Sequence, residues 1–128
     1  MASATADQVR RRVGDTDSES QIFDDDAVSE AITDALDYLI KKNITPESPI
    51  EIRLHSYVAA DYLLMDKLDA LGASRAVQSM SEQGSSVQFV DLEQRQDKIR
   101  TRINQLMFEI QGSYYETGDV GAYQPELI

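Results

Sequence analysis

Apolar and polar positions recur along this chain with a helical period over most of its length. From Asp25 to about Lys42, Val28, Ile32, Ala35, Leu36 and Leu39 fall on one side of a helix at about 100° per residue, with Asp26, Glu30, Asp34 and Asp37 opposite. That pattern predicts one core face and one wet, acidic face. From Pro49 to about Leu71, the stripe Ile50, Leu54, Tyr57, Val58, Leu64, Met65 and Leu68 is accompanied by a second apolar set nearly opposite, Ile52, Ala59 and Leu63. A helix apolar on two sides is predicted to be central, touching two layers of its own domain or a neighbouring copy. Asp61 falls inside the main stripe. A buried carboxylate needs a cation or several N–H donors, so Asp61 is either a paired structural acid or an interface residue. From Leu92 to Gln111, the core stripe is Leu92, Ile99, Ile103, Leu106, Met107 and Ile110. Phe108 projects from the polar face beside Asp97, Thr101 and Asn104, which suggests a contact outside the monomer's own core.

The helix starts and stops are written in residue types. Thr5-Ala6-Asp7-Gln8 fits a capping box, and Gly14 ends the short helix that follows, through Val9-Arg10-Arg11-Arg12-Val13. Asp24 sits where the next cap belongs, with Asp25 and Asp26 favourable in the first turn and Phe23 placed to staple onto the helix. Ser48-Pro49-Ile50-Glu51 is the best capping box in the chain, after the break at Asn43-Ile44-Thr45-Pro46-Glu47. Gly72 is the expected stop of the third helix, residues 73–80 could add a turn or two, and residues 81–86 read as loop. Val87-Gln88-Phe89-Val90 alternates and is β-prone, which predicts an extended segment or small hairpin before a last helix capped by Asp91 and ended at Gly112.

The expected fold class is therefore all-α: a small bundle of three main helices plus a short N-terminal one, with a loop or small hairpin before the last. Residues 1–112 form the body. Residues 113–128 have no helical period yet hold three of the six tyrosines. Disordered tails are usually poor in aromatics, so this segment reads as an extended arm that orders on a partner, anchored by Tyr114, Tyr115, Tyr123, Leu127 and Ile128.

Length and charge then narrow the function. A chain of 128 residues is one domain by prior and buries roughly two thirds of the surface its unfolded form exposes. The net charge is −11, from 23 acidic against 12 basic residues. Tight wrapping of a phosphate backbone is disfavoured, because that affinity comes mostly from Lys and Arg displacing counterions. Arg10, Arg11 and Arg12 do not change this, since consecutive helical residues point in different directions. Acid excess with few lysines also resembles proteins of halophiles, where salt screens self-repulsion. The Asp26-Glu30-Asp34 ladder is mildly unfavourable in dilute salt and reads first as a solvated face.

Chemistry has little foothold. There is no cysteine, His55 is the single histidine, and no glycine-rich phosphate loop or His-Glu metal spacing occurs. Asp15, Asp17, Asp24, Asp25 and Asp26 lack the alternation and closing Glu of a calcium loop. The expectation is no enzyme, no catalytic residue, no cofactor and no metal. No apolar run approaches a membrane span, and Met1-Ala2-Ser3-Ala4 lacks a signal-peptide core, so the protein is expected to act where it is made.

The opening, Val9-Arg10-Arg11-Arg12-Val13-Gly14-Asp15-Thr16-Asp17 followed by Gln21-Ile22-Phe23-Asp24-Asp25-Asp26-Ala27-Val28, resembles that of the head-tail connector (adaptor, head completion) proteins of tailed viruses. These commonly begin with a short helix ending in Gly-Asp, then an apolar-aromatic pair leading into an acid-rich helix start. Gly84-Ser85-Ser86-Val87-Gln88-Phe89 is similar to their turn before the last long helix, so the resemblance spans roughly residues 5–110. It implies a structural virion protein at the head-tail interface, made in the host cytoplasm. Its copies would form a ring, twelve-fold in the family, joined to the portal protein and to a downstream tail or stopper protein. DNA would pass through without specific binding, and the C-terminal arm would dock on the portal. Phe108, Ile52, Leu63 and Asp61 are the residues expected between subunits. The alternative is a small acidic helical regulator or adaptor that binds one basic protein through the face of Asp26, Glu30, Asp34 and Asp37.

Overall fold

The structure, a computed structural model, describes residues 3–16, 22–78 and 83–115, with the side chains of 71–90 excepted. Four helices follow in order: α1 (Ala6–Val13), α2 (Asp25–Lys41), α3 (Pro49–Gln78) and α4 (Gln83–Gln111). The all-α expectation holds. Among the described residues there is no strand.

The caps form as their residue types dictate. The Thr5 hydroxyl accepts from the Gln8 N–H at 3.2 Å while Gln8 Oε1 accepts from the Thr5 N–H at 2.9 Å, the reciprocal box that satisfies two orphan donors. Asp24 accepts from the Ala27 N–H at 2.7 Å. Glu51 accepts from the Ser48 and Glu47 N–H groups, each at 3.1 Å, and those bonds hold its carboxyl below the usual carboxylate range.

Two helices end in the same way. After α1, Gly14 takes φ +77°, so that its N–H reaches the Arg11 carbonyl and the Asp15 N–H reaches the Arg10 carbonyl at 2.8 Å. After α2, Asn43 takes φ +65°, its N–H reaches the Ile40 carbonyl, and the Ile44 N–H reaches the Leu39 carbonyl at 2.8 Å. Both are Schellman motifs. In the second, Ile44 and Leu39 supply the usual apolar contact, and both are buried. In the first, Asp15 occupies the equivalent position and meets Arg10 instead. The space beside Gly14 is filled by Arg95 of α4, whose Nη1 lies 2.8 Å from where a Cβ would stand and donates to the Val13 carbonyl at 2.7 Å. The left-handed backbone favours glycine there, and a Cβ would displace the movable end of the Arg95 side chain.

The third helix is central, as its two apolar faces predict: it packs against α1, α2 and α4. Leu54, Val58, Leu64 and Leu68 of its main stripe are buried, and so are Ala59 and Leu63 of the second. From α2 come Val28, Ala31, Ala35 and Leu39, and from α4 come Leu92, Ile99, Ile103, Leu106 and Met107. Phe23, ahead of α2, is buried in the same core.

Three expectations about element bounds are corrected. The third helix does not stop at Leu71 and Gly72 but continues to Gln78. A mid-helix glycine costs only about 1 kcal/mol relative to alanine, and Ala70, Leu71, Ala73 and Ala76 around it favour continuation. The last helix begins at Gln83, not after an Asp91 cap, so Gly84-Ser85-Ser86 is helical and not loop. Val87-Gln88-Phe89-Val90 is helix, not an extended segment or hairpin. A short β-prone run without a partner strand leaves its backbone groups unpaired, whereas the helix pairs them. Any loop at 79–82 lies outside the described residues.

Candidate functional site

Where α4 ends, the chain turns back across the bundle. The Asn104 side chain donates from Nδ2 to the Arg100 carbonyl at 3.0 Å and accepts the Tyr115 N–H on Oδ1 at 2.8 Å. Tyr115 is thereby drawn inward until 5 % of it is exposed, its ring edge-on to Tyr38 with centroids 5.4 Å apart. Its hydroxyl donates to Asp61 Oδ2 at 2.7 Å, and Arg100 Nε donates to Asp61 Oδ1 at 2.8 Å. Burial, then the Asp61 charge, pushes the Tyr115 phenol far above its ordinary value, so it is a permanent donor.

This cluster corrects three site expectations. Asp61, fully buried with each oxygen paired within the chain, is the paired structural acid and not a subunit-interface residue. Tyr115 is a core residue and not an arm anchor, which moves the start of any arm from residue 113 to beyond 115. Leu63, at 3 % exposure, lies in the chain's own core and offers nothing to a neighbour. Ile52 is half-buried. Tyr123, Leu127 and Ile128 lie outside the described residues.

Tyr114, the neighbour of the buried tyrosine, points outward and stacks on Phe108, with ring centroids 5.8 Å apart and planes at 30°. Phe108 is 57 % exposed and Tyr114 37 %. This aromatic pair stands at the C-terminal end of α4. Asn104, expected next to Phe108 on the polar face, is instead buried in holding Tyr115.

The residues of the N-terminal motif are tied together by one carboxylate. Asp15, 2 % exposed, accepts from the Ile22 N–H at 2.8 Å, the Phe23 N–H at 3.1 Å and Arg10 Nη1 at 2.8 Å. Arg10 completes the knot by donating to the Phe23 carbonyl at 2.9 Å and to Asp25 at 2.7 Å. Arg12 is spent on the Ser56 hydroxyl at 3.1 Å and lies over the Tyr57 ring at 4.5 Å. The arginine triplet is therefore not a phosphate-binding stripe, and the acids around it are already satisfied. Among the described residues no group of three or more His, Cys, Asp or Glu is placed to hold a metal ion. Asp17 lies outside them.

The acidic face is as its period predicts: Asp26, Glu30, Asp34 and Asp37 are all exposed on α2. Between α2 and α3 there is a groove of about 120 Å³, with Glu30, Asp34 and Asp66 at its rim and Ala27, Ala31, Tyr62 and Met65 along its floor. Burial first, then Tyr38 and the charges of Asp61 and Asp34, pushes the Tyr62 phenol up to about 12. The sequence reading missed this groove, because Asp66 and Met65 join it only when α3 packs on α2. Among the described residues no helix is long and apolar enough to cross a membrane.

No family model matches the chain, and no curated protein or solved structure is significantly similar to it.

Proposed function

We propose that the chain is a head-tail connector subunit of a tailed virus, which assembles with its own copies into a ring beneath the portal, extends the DNA channel and joins head to tail. The observation that carries this reading is the exposed Phe108–Tyr114 stack. An exposed, stacked aromatic pair at the end of a long helix is the kind of anchor that subunit contacts use. The opening motif adds support. Its Gly-Asp ends α1 and its Ile22-Phe23 pair is drawn in by Asp15, so the described residues of that opening form one organised corner.

A closed ring requires a heterologous interface, in which two different patches of each subunit meet. Phe108→Asp is expected to weaken ring assembly at least tenfold while leaving helical content, read by circular dichroism, unchanged; such a buried aromatic contact is typically worth about 2 kcal/mol or more. Loss of helicity would instead place Phe108 in the core. Because Tyr115 belongs to the body, the arm is tested by removing residues 116–128. That truncation should keep the fold and lose attachment to the portal, and undiminished attachment would assign docking to the body.

A second reading rests on the groove. Its rim carboxylates have no cationic partner among the described residues, and its apolar floor suits the stem of a lysine or arginine. This supports the alternative of an acidic adaptor that takes one basic protein on the α2 face. The two readings differ in stoichiometry.

A further inference from the structure

We propose that His55 is an acid-released latch for the segment ahead of α1. The ring is fully buried on α3 and spans two backbone partners: Nδ1 lies 3.0 Å from the Ala4 N–H and Nε2 2.9 Å from the Ile32 carbonyl. Ala4 can only donate and Ile32 can only accept. The two contacts together therefore fix one neutral tautomer, with the proton on Nε2 and a bare lone pair on Nδ1.

A second proton can land only on Nδ1, where it faces the Ala4 N–H. Acceptor becomes donor, and the contact that ties Ala4 across 51 residues to α3 is lost. The Ile32 contact survives, so the ring itself need not leave.

The charged groups of the surrounding elements do not answer that proton. On α1, Arg10 is held by Asp15 and Asp25, and Arg12 by Ser56 and Tyr57. On α2, Glu30 and Asp34 stand on the exposed face. On α3, Glu51 is turned to the cap and Asp61 to Arg100 and Tyr115. On α4, Arg95 is held by Val13 and Asp91. The proton affinity of the ring is set by burial, which lowers it, and by the Ile32 carbonyl, which partly restores it.

The sign follows from the lowered folded value. Opening lets water reach Nδ1, so the ring then moves toward its ordinary value near 6.5, whereas closed and desolvated it binds a proton less readily. The latch is at full strength above that pH and weakens as pH falls below it. What it controls is local. α1 has eight residues, too few to be stable alone, and its Thr5 cap directly follows Ala4. Release frees the segment ahead of α1 while the Arg10–Asp15 and Arg95–Val13 ties hold the helix.

The test is amide exchange and ring ¹⁵N NMR on the full chain between pH 7.5 and 5.5. The expected result is Nε2–H with bare Nδ1 at pH 7.5, and an Ala4 protection factor about tenfold lower at pH 5.5, with Val58 and Leu64 unchanged. His55→Gln should make Ala4 protection independent of pH across this range. The opposite tautomer, an Ala4 protection that stays flat in the wild type, a fall shared by Val58 and Leu64, or the same pH dependence in the variant would each overturn the latch.

Discussion

Asp61→Ala is expected to destabilise the protein by about 3 to 5 kcal/mol in urea unfolding, the range for removing one partner of a buried ion pair. The carboxylate is fully buried and accepts from two groups, Arg100 Nε at 2.8 Å and the Tyr115 hydroxyl at 2.7 Å. The Arg100 side chain is only a quarter exposed, so water replaces the lost partner incompletely. Tyr115→Phe removes one hydrogen bond and leaves the ion pair, and should cost about 1 to 2 kcal/mol. If Asp61→Ala proved nearly neutral, the cluster would not be what pins the end of α4 to α3.

The other large effect belongs to Asp15. Asp15→Ala is expected to cost about 3 kcal/mol, because two backbone N–H groups and a buried guanidinium lose their common acceptor. Arg10 keeps Asp25 and the Phe23 carbonyl, which limits the loss. Proteolysis should open the α1–α2 connection first in this variant, since that carboxylate ties Ile22 and Phe23 to the end of α1. A variant that resists protease as the wild type does would show that Phe23 burial alone holds the corner.

Much of this architecture is written locally. The Thr5–Gln8 box, the Asp24 cap and the Ser48–Glu51 box each involve residues three or four apart, and the acidic and apolar faces of α2 need only a period. What the sequence hid depends on partners far along the chain. Asp61 carried a readable demand for donors, but Tyr115, 54 residues away, supplied one from a stretch without period. That stretch read as an arm because a tyrosine shows the same composition whether it serves a partner or its own core. His55 similarly gave no signal, since its two partners are backbone groups of Ala4 and Ile32. The bounds of α3 and α4 were misread for another reason. Gly72 and the Val87–Val90 run carry local preferences of about 1 kcal/mol or less, which a long helix with a continuous hydrogen-bond ladder overrides.

The fate of the acidic surface separates the two functional readings. In a ring, Asp26, Glu30, Asp34 and Asp37 would stand toward solvent or the channel, where like charge keeps DNA from being held. In an adaptor they would be covered by a basic partner. The most direct test is the native mass of the full chain, alone and mixed with the portal protein. The connector reading predicts a single closed ring of many copies, formed alone or on the portal. A chain that stays monomeric in both samples would contradict it.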